Sequence, residues 1–351
     1  MKRLLLALIC AASLLDSAAK GASADNPVTS FDLVAGRLIA DPQRGLIFAS
    51  LTDSNMVAVI DAVTLTVTKK LTVGAGPIGM SISPDGKKLY VAQKLVKKIA
   101  VIDLTTLTVL PSLTITEESY DIEAGLGDRL YVTAWNTNDE FLQVDAITGQ
   151  TQQVISSLYQ DGRIEISSDR TLLYFGDKGL SPSTVRRYDV STSTATLEET
   201  SEFYAFGSDG ADLKLSHNDQ LLAFPSPTGN DQANSTYFID PFDFSIVYGT
   251  VPVPGNPGRV AFSPNDTVFY QGLLFGEQIF LFNVATSAQI ATLNVPGNTI
   301  SDMVTDSTGR YLFVAGADAI QVFDFNPEVN ASFSATVGKP LGYDAPIYIA
   351  A

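Results

Sequence analysis

Two residue types that most catalytic and metal sites depend on are nearly missing. The 351-residue chain has one histidine, His217, and one cysteine, Cys10. A Ser–His–Asp or Cys–His mechanism therefore lacks a ready base. Zinc, copper and haem sites lose their usual ligands for the same reason. Positive charge is scarce as well: 22 Lys and Arg face 38 Asp and Glu, a net charge of −16. That balance argues against nucleic acid and anionic membrane surfaces as partners. A spanning helix needs about 20 apolar residues, and no run in the sequence is that long.

The longest apolar run, "LLLALICAASLL", follows the basic start "MKR" and precedes the small-residue stretch "ASA" at 22–24. This is the pattern of a secretory signal peptide over residues 1–24, with cleavage expected before Asp25. Cys10 is not expected to carry a lipid anchor, because bulky Ile9 precedes it and the run ahead of it is short. The mature protein, residues 25–351, then has no cysteine, and its core stabilises it without disulfides. The expected location is secreted or periplasmic, as a monomer.

What the chain does have is a repeat. The endings "VAVID" at Asp61, "IAVID" at Asp103, "FLQVD" at Asp145, "VRRYD" at Asp189, "TYFID" at Asp240, "IFLFN" at Asn283 and "IQVFD" at Asp324 recur every 41 to 51 residues. In five copies a Thr follows three residues later. An Asp or Asn at a strand end accepts backbone N–H bonds from the next turn. Such a residue, repeated seven times and once replaced by Asn, reads as a turn former rather than a catalyst. Ahead of each lies an apolar strand such as "KLYVAQ" or "YLFVAG", and before that a polar turn such as "SPDG" or "SPND". Four short strands per unit make a propeller blade. The fold expected is all-β: a seven-bladed β-propeller of four-stranded antiparallel blades. Blades are placed at about 36–73, 74–115, 116–156, 157–200, 201–251, 252–295 and 296–337. Residues 25–35 or the tail 338–351 are expected to help close the ring.

The stretches "VIDLTTLTV", "GAGPIGMSISPDGKKLYVAQ" and "NPGRVAFSPNDTVFYQG" resemble the YVTN family of β-propeller repeats, over about residues 33–337. The resemblance implies the fold. It does not choose a function, because that family includes binding proteins, surface antigens and electron-transfer subunits.

Aligning the units places Gly36, Gly79, Tyr120 or Asp121, Arg163, Asp212, Arg259 and Asp302 at the head of the innermost strands. Glu165 and Lys214 come two positions later. Half of the channel mouth then alternates in charge, while the other half holds small residues and leaves room for a ligand. Two readings stay open. The ring is a closed set of salt bridges, or Arg163 and Arg259 hold an anionic group by bidentate hydrogen bonds. Trp135 in "TAWNTNDE" and Phe275 in "GLLFGE" add aromatic surface for a sugar or a protein. His217 should sit in a turn on the face away from this mouth.

The function expected is a non-catalytic extracytoplasmic binding protein taking a small anionic or sugar-like ligand, or another extracytoplasmic protein. The alternative is a lactonase-like hydrolase or lyase working through Asp209, Asp212, Asp302 and Glu165. No cofactor is expected beyond weak Ca²⁺ binding at "SDGAD" or "NTNDE". Three N-x-S/T sequons occur, at Asn234, Asn265 and Asn330.

Overall fold

A computed structural model describes residues 23–24, 26–135, 139–158, 162–177, 182–202, 205–208, 210–227, 234–297 and 299–325. Most of the expected signal peptide, Asp209, Asn330 and the tail 338–351 lie outside them. Among the described residues there is no helix, and the strands form seven separate antiparallel blades. Each blade runs from an innermost strand outward: Arg37–Asp41 opens the first, Pro77–Ile82 the second, Ser119–Ala124 the third, and Arg163–Ile166 the fourth. Lys214–Leu215, Pro257–Phe262 and Ile300–Thr305 open the fifth to seventh.

Closure uses the N-terminal segment. Blade 7 has three strands of its own, and Thr29–Phe31 pairs antiparallel with Ile320–Asp324 as its outermost strand. Ser23–Ala24 lies parallel to Gln289–Asn294 on the edge of blade 6. Those two residues belong to the expected signal peptide, so cleavage before Asp25 would uncover that edge.

The turns explain the repeat. At the first turn of a blade, the Ser83 hydroxyl accepts the Lys88 N–H at 2.9 Å and donates to Asp85 at 2.7 Å. Ser167, Ser216 and Ser263 accept the corresponding N–H groups in blades 4 to 6, and the Asp306 carboxylate does so in blade 7. At the third turn, Asp103 accepts the N–H groups of Thr105 at 2.7 Å and Thr106 at 3.0 Å. Asp61, Asp145, Asp189, Asp240 and Asn283 do likewise. In the seventh copy Asp324 takes the Arg310 guanidinium at 2.8 Å, and the residues that follow its turn lie outside the described ones.

The core lies between blades. Phe48, Val57 and Val59 of blade 1 pack on Met80, Leu89 and Val91 of blade 2, and similar clusters fill the other junctions. Phe48, Phe175, Phe238, Phe269 and Phe313 are fully buried. Blades so joined cannot swing independently, which fixes the innermost strands around one axis.

Hydrogen bonds from Thr64, Thr106 and Thr148 hold the Asp61, Asp103 and Asp145 carboxyls below the ordinary 3.8. Lowered folded values mean that on acidification the unfolded chain takes up protons first. Their stabilisation is complete above the ordinary value and disappears as the pH drops through the folded values. The thermal midpoint should therefore decline as the pH is lowered through and below the ordinary 3.8. Replacing all three by Asn keeps an acceptor and should flatten that decline. An equally steep decline in the triple variant would exclude these turns as its source.

Candidate functional site: the central channel

Side chains of the innermost strands face the channel in tiers two residues apart. The first tier is Arg37, Gly79, Asp121, Arg163, Asp212, Arg259 and Asp302, one from each blade. This corrects the sequence alignment at one position and decides between its two alternatives at another. Arg37, not Gly36, stands on blade 1, and Asp121 rather than Tyr120 on blade 3. The half of the ring expected to hold small residues is thus charged, apart from Gly79. Starting from Asp121, the signs alternate without a break to Arg37.

The ring pairs with itself. Arg163 lies 3.9 Å from Asp121 and 3.5 Å from Asp212, Arg259 lies 3.7 Å from Asp212, and Arg37 lies 4.0 Å from Asp302. Arg259 also donates to the Ser301 and Ala211 carbonyls, both at 2.7 Å. Each aspartate accepts a backbone N–H from the next arginine-bearing blade. Asp302 takes that of Leu38 at 2.7 Å, Asp212 that of Val260 at 3.2 Å, and Asp121 that of Ile164 at 3.3 Å. Burial pushes the Asp121 and Asp302 carboxyls up, and Arg37 opposes this at both. For Arg37, burial works against the cation, but Tyr120, Asp302, Asp121 and Asp212 together raise its pKa. Arg163 and Arg259 therefore already have carboxylates, rather than standing open for an anionic ligand.

Tyr120 sits where the two arginines face each other across Gly79 and Asp121. The Arg163 guanidinium carbon is 4.9 Å from its ring centre and that of Arg37 is 5.7 Å away. Trp135 stacks on Tyr120 at 5.3 Å, and the Lys94 ammonium lies 5.1 Å from the indole. The indole is thus engaged within the protein by Tyr120 and Lys94. Phe275 is 78% exposed in its loop, apart from this cluster.

Beyond the ring lies a cavity of about 390 Å³ that reaches the turns after the innermost strands, where His217 and Pro264 line it. His217 does sit in such a turn, as expected, but it borders the cavity's far end. Its Nδ1 is 2.9 Å from Asp266, whose carboxylate also accepts the His217 and Asn218 N–H groups.

The second tier forms the cavity wall, and it is divided. Ile39, Ala261 and Val304 make one side apolar; Glu123, Glu165 and Lys214, on three successive blades, make the other charged. Lys214 bonds Glu165 at 2.7 Å and is 41% exposed at its side chain. Ser81 donates to Glu123 at 2.8 Å. Burial, reinforced by Glu165, pushes the Glu123 carboxyl up to about 8. Burial also raises Glu165, against the pull of Lys214. Burial works against the Lys214 ammonium, but Glu165 and Glu123 prevail and raise its pKa. Of this wall, Glu165 and Lys214 were readable from register. Glu123 was missed, because a β-bulge between Ser119 and Ile122 shifts blade 3 by one residue.

Among the described residues no group of three or more His, Cys, Asp and Glu side chains is placed to hold a metal ion. Asp209 and the side chains of "NTNDE", named above for Ca²⁺, lie outside the described residues.

No protein-family model and no curated protein matches the sequence. Solved structures do match in shape. Hydrazine synthase from Kuenenia stuttgartiensis superposes with a TM-score of 0.66 at 16% identity, covering 84% of this chain and 96% of that one. The β-propeller domain of Cps50 (Swd1) from Myceliophteria thermophila gives 0.67 at 14% identity, covering 85% and 99%. The fold is shared. Identities this low say nothing about chemistry.

Gly79 is the position where the ring admits no side chain. A Cβ there would lie 2.6 Å from the Tyr120 carbonyl oxygen and 2.8 Å from Asp121 Cα. Gly79→Ala should destabilise the protein by about 1–3 kcal/mol through overpacking against backbone, read from the urea midpoint. An unchanged midpoint would show that blade 3 can retreat at no cost.

Proposed function

We propose that this is a non-catalytic extracytoplasmic binding protein whose ligand site is the channel cavity. The observation that carries the reading is the divided wall: three convergent ionisable groups face an apolar side in a space of about 390 Å³. Small-molecule sites have this character, with mostly apolar lining and a few placed polar groups, and perturbed carboxyls cluster at such sites. Lys214 is kept as an ammonium by Glu165, so it has no lone pair for covalent attack. The signal-like N-terminus and the acidic balance support a location outside the cytoplasm. The carboxylates along the cavity outnumber its cations, which disfavours a purely anionic ligand.

The test is a thermal-shift panel on the mature chain with sugars, sugar acids, lactones, amino acids and amines. A ligand at about 100 times its Kd adds about 2.7 kcal/mol of stability. The shift should vanish in Glu165→Gln and in Lys214→Met while each variant's own midpoint still shows a folded protein. A ligand-induced shift that survives in both folded variants would place the site elsewhere.

One observation favours a second reading, a hydrolase working through carboxyls. Glu123 keeps its proton to about pH 8 beside Glu165, and two carboxyls in different protonation states are the usual acid and base pair. That reading requires turnover of a lactone or glycoside that Glu123→Gln abolishes. Binding without turnover excludes it.

A further inference from the structure

The two tiers of the channel differ in charge balance. In the ring three guanidiniums face three carboxylates, and Arg37 and Arg163 are buried among them, closed to a ligand. One tier on, Glu123, Glu165 and Lys214 are each partly exposed and line the cavity. Here two carboxyls face a single ammonium, and that ammonium is bonded to Glu165 at 2.7 Å. Among the described residues Glu123 has no salt bridge. Its hydrogen bonding is also incomplete. Ser81 accepts the Ala124 N–H at 3.0 Å and donates to Glu123 Oε2 at 2.8 Å. That fixes the carboxyl and leaves Oε1 without a partner among the described residues. Lys214 gives one of its three N–H groups to Glu165 Oε1. Its other two, and Glu165 Oε2, have no partner among the described residues either.

Resting on the binding reading above, we propose that the ligand is a small amine bearing hydroxyl groups, of the amino-sugar type. Its ammonium donates to Glu123 and brings the positive charge that the second tier lacks. A charge-assisted hydrogen bond of this kind is among the strong ones. The Glu165–Lys214 pair holds a spare acceptor beside spare donors, and a hydroxyl both donates and accepts. One ligand hydroxyl therefore bonds both residues. An amine without hydroxyls would strip water from that pair and replace none of its hydrogen bonds. The apolar side formed by Ile39, Ala261 and Val304 covers the C–H face of the carbon frame.

Binding would move a proton. The groups acting on Glu123 are Asp121 on its own strand, Glu165 and Lys214 from blades 4 and 5, and Ser81 from blade 2. Arg170, from the turn of blade 4, bonds the Ala124 carbonyl one residue away. Burial and Glu165 keep Glu123 protonated at neutral pH, and an arriving ammonium favours its ionised form. The carboxyl O–H proton then leaves to the buffer as the ion pair forms.

The experiment is isothermal titration of the mature protein at pH 6.5 with glucosamine, N-acetylglucosamine, glucose and cyclohexylamine. Glucosamine carries both the charge and the hydroxyls. N-acetylglucosamine and glucose keep the hydroxyls without the charge, and cyclohexylamine keeps the charge and the ring size without the hydroxyls. Glucosamine should bind at least about tenfold more tightly than each of the other three. Its titrations in phosphate and in ACES, buffers of different ionisation heat, should differ by the heat of up to one proton released. In Glu123→Gln glucosamine should bind no more tightly than glucose and release no proton, while the melting midpoint reports a folded chain. Lys214→Met should weaken glucosamine at least about tenfold and leave cyclohexylamine as in the parent. Equal affinities for glucosamine and either N-acetylglucosamine or cyclohexylamine would overturn the assignment, as would a Glu123→Gln variant that binds glucosamine as the parent does. So would a failure of glucosamine where a sugar acid or lactone from the panel binds and loses its effect in Lys214→Met, although the cavity would remain the binding site. Silence from the entire panel would remove both readings.

Discussion

Seven innermost strands converge on one axis, and whatever their first residues carry must coexist at close range. Charges of two signs can alternate without conflict only around an even ring. Here the odd position is Gly79, which supplies no side chain and lets the backbone of blade 3 at Tyr120 and Asp121 pack directly against it. Each aspartate also holds an N–H of a neighbouring blade. Buried charges cost several kcal/mol each unless paired and hydrogen-bonded, so the ring tolerates few substitutions at any one of its members. It sets the register between blades as much as it stabilises them.

The closed ring also decides where a ligand could sit. With the arginines engaged by aspartates and carbonyls, open space lies further along the channel, where the second tier changes from Ile39 to Glu123 to Lys214. The asymmetry is notable because the fold itself is nearly symmetric. Units that share their turns and strand order differ at this tier. Variation concentrated on one side of a repeated scaffold is how such folds acquire function.

The blades were legible in the sequence because their signals are local. An Asp or Asn that accepts N–H groups of the next turn recurs from unit to unit, and so does the Ser before the second strand in blades 2, 4, 5 and 6. The channel was legible only in part. Arg163, Glu165 and Lys214 stand on strands without bulges, Asp212 lies just ahead of one, and all fell where counting put them, as did Gly79, Arg259 and Asp302. Bulges between Pro77 and Met80, Ser119 and Ile122, Pro257 and Val260, and Ile300 and Asp302 break the simple alternation. On blade 3 that uncertainty left Tyr120 and Asp121 as alternatives and hid Glu123, and on blade 1 counting chose Gly36 where its neighbour Arg37 stands. The pairing of Trp135 with Tyr120 joins residues of one blade across its inner strands, and no local motif announces it.

The ring is closed by only three residues, Thr29–Phe31, whose partner strand comes almost at the other end of the chain. Entropy penalises so long a loop only logarithmically, but contacts between distant residues form slowly. A chain that emerges N-terminus first would hold this strand idle while six blades assemble. Blade 7 would meanwhile present the open edge of Ile320–Asp324, a template for any passing strand. The last step in making this propeller is therefore also the moment of greatest exposure to mispairing.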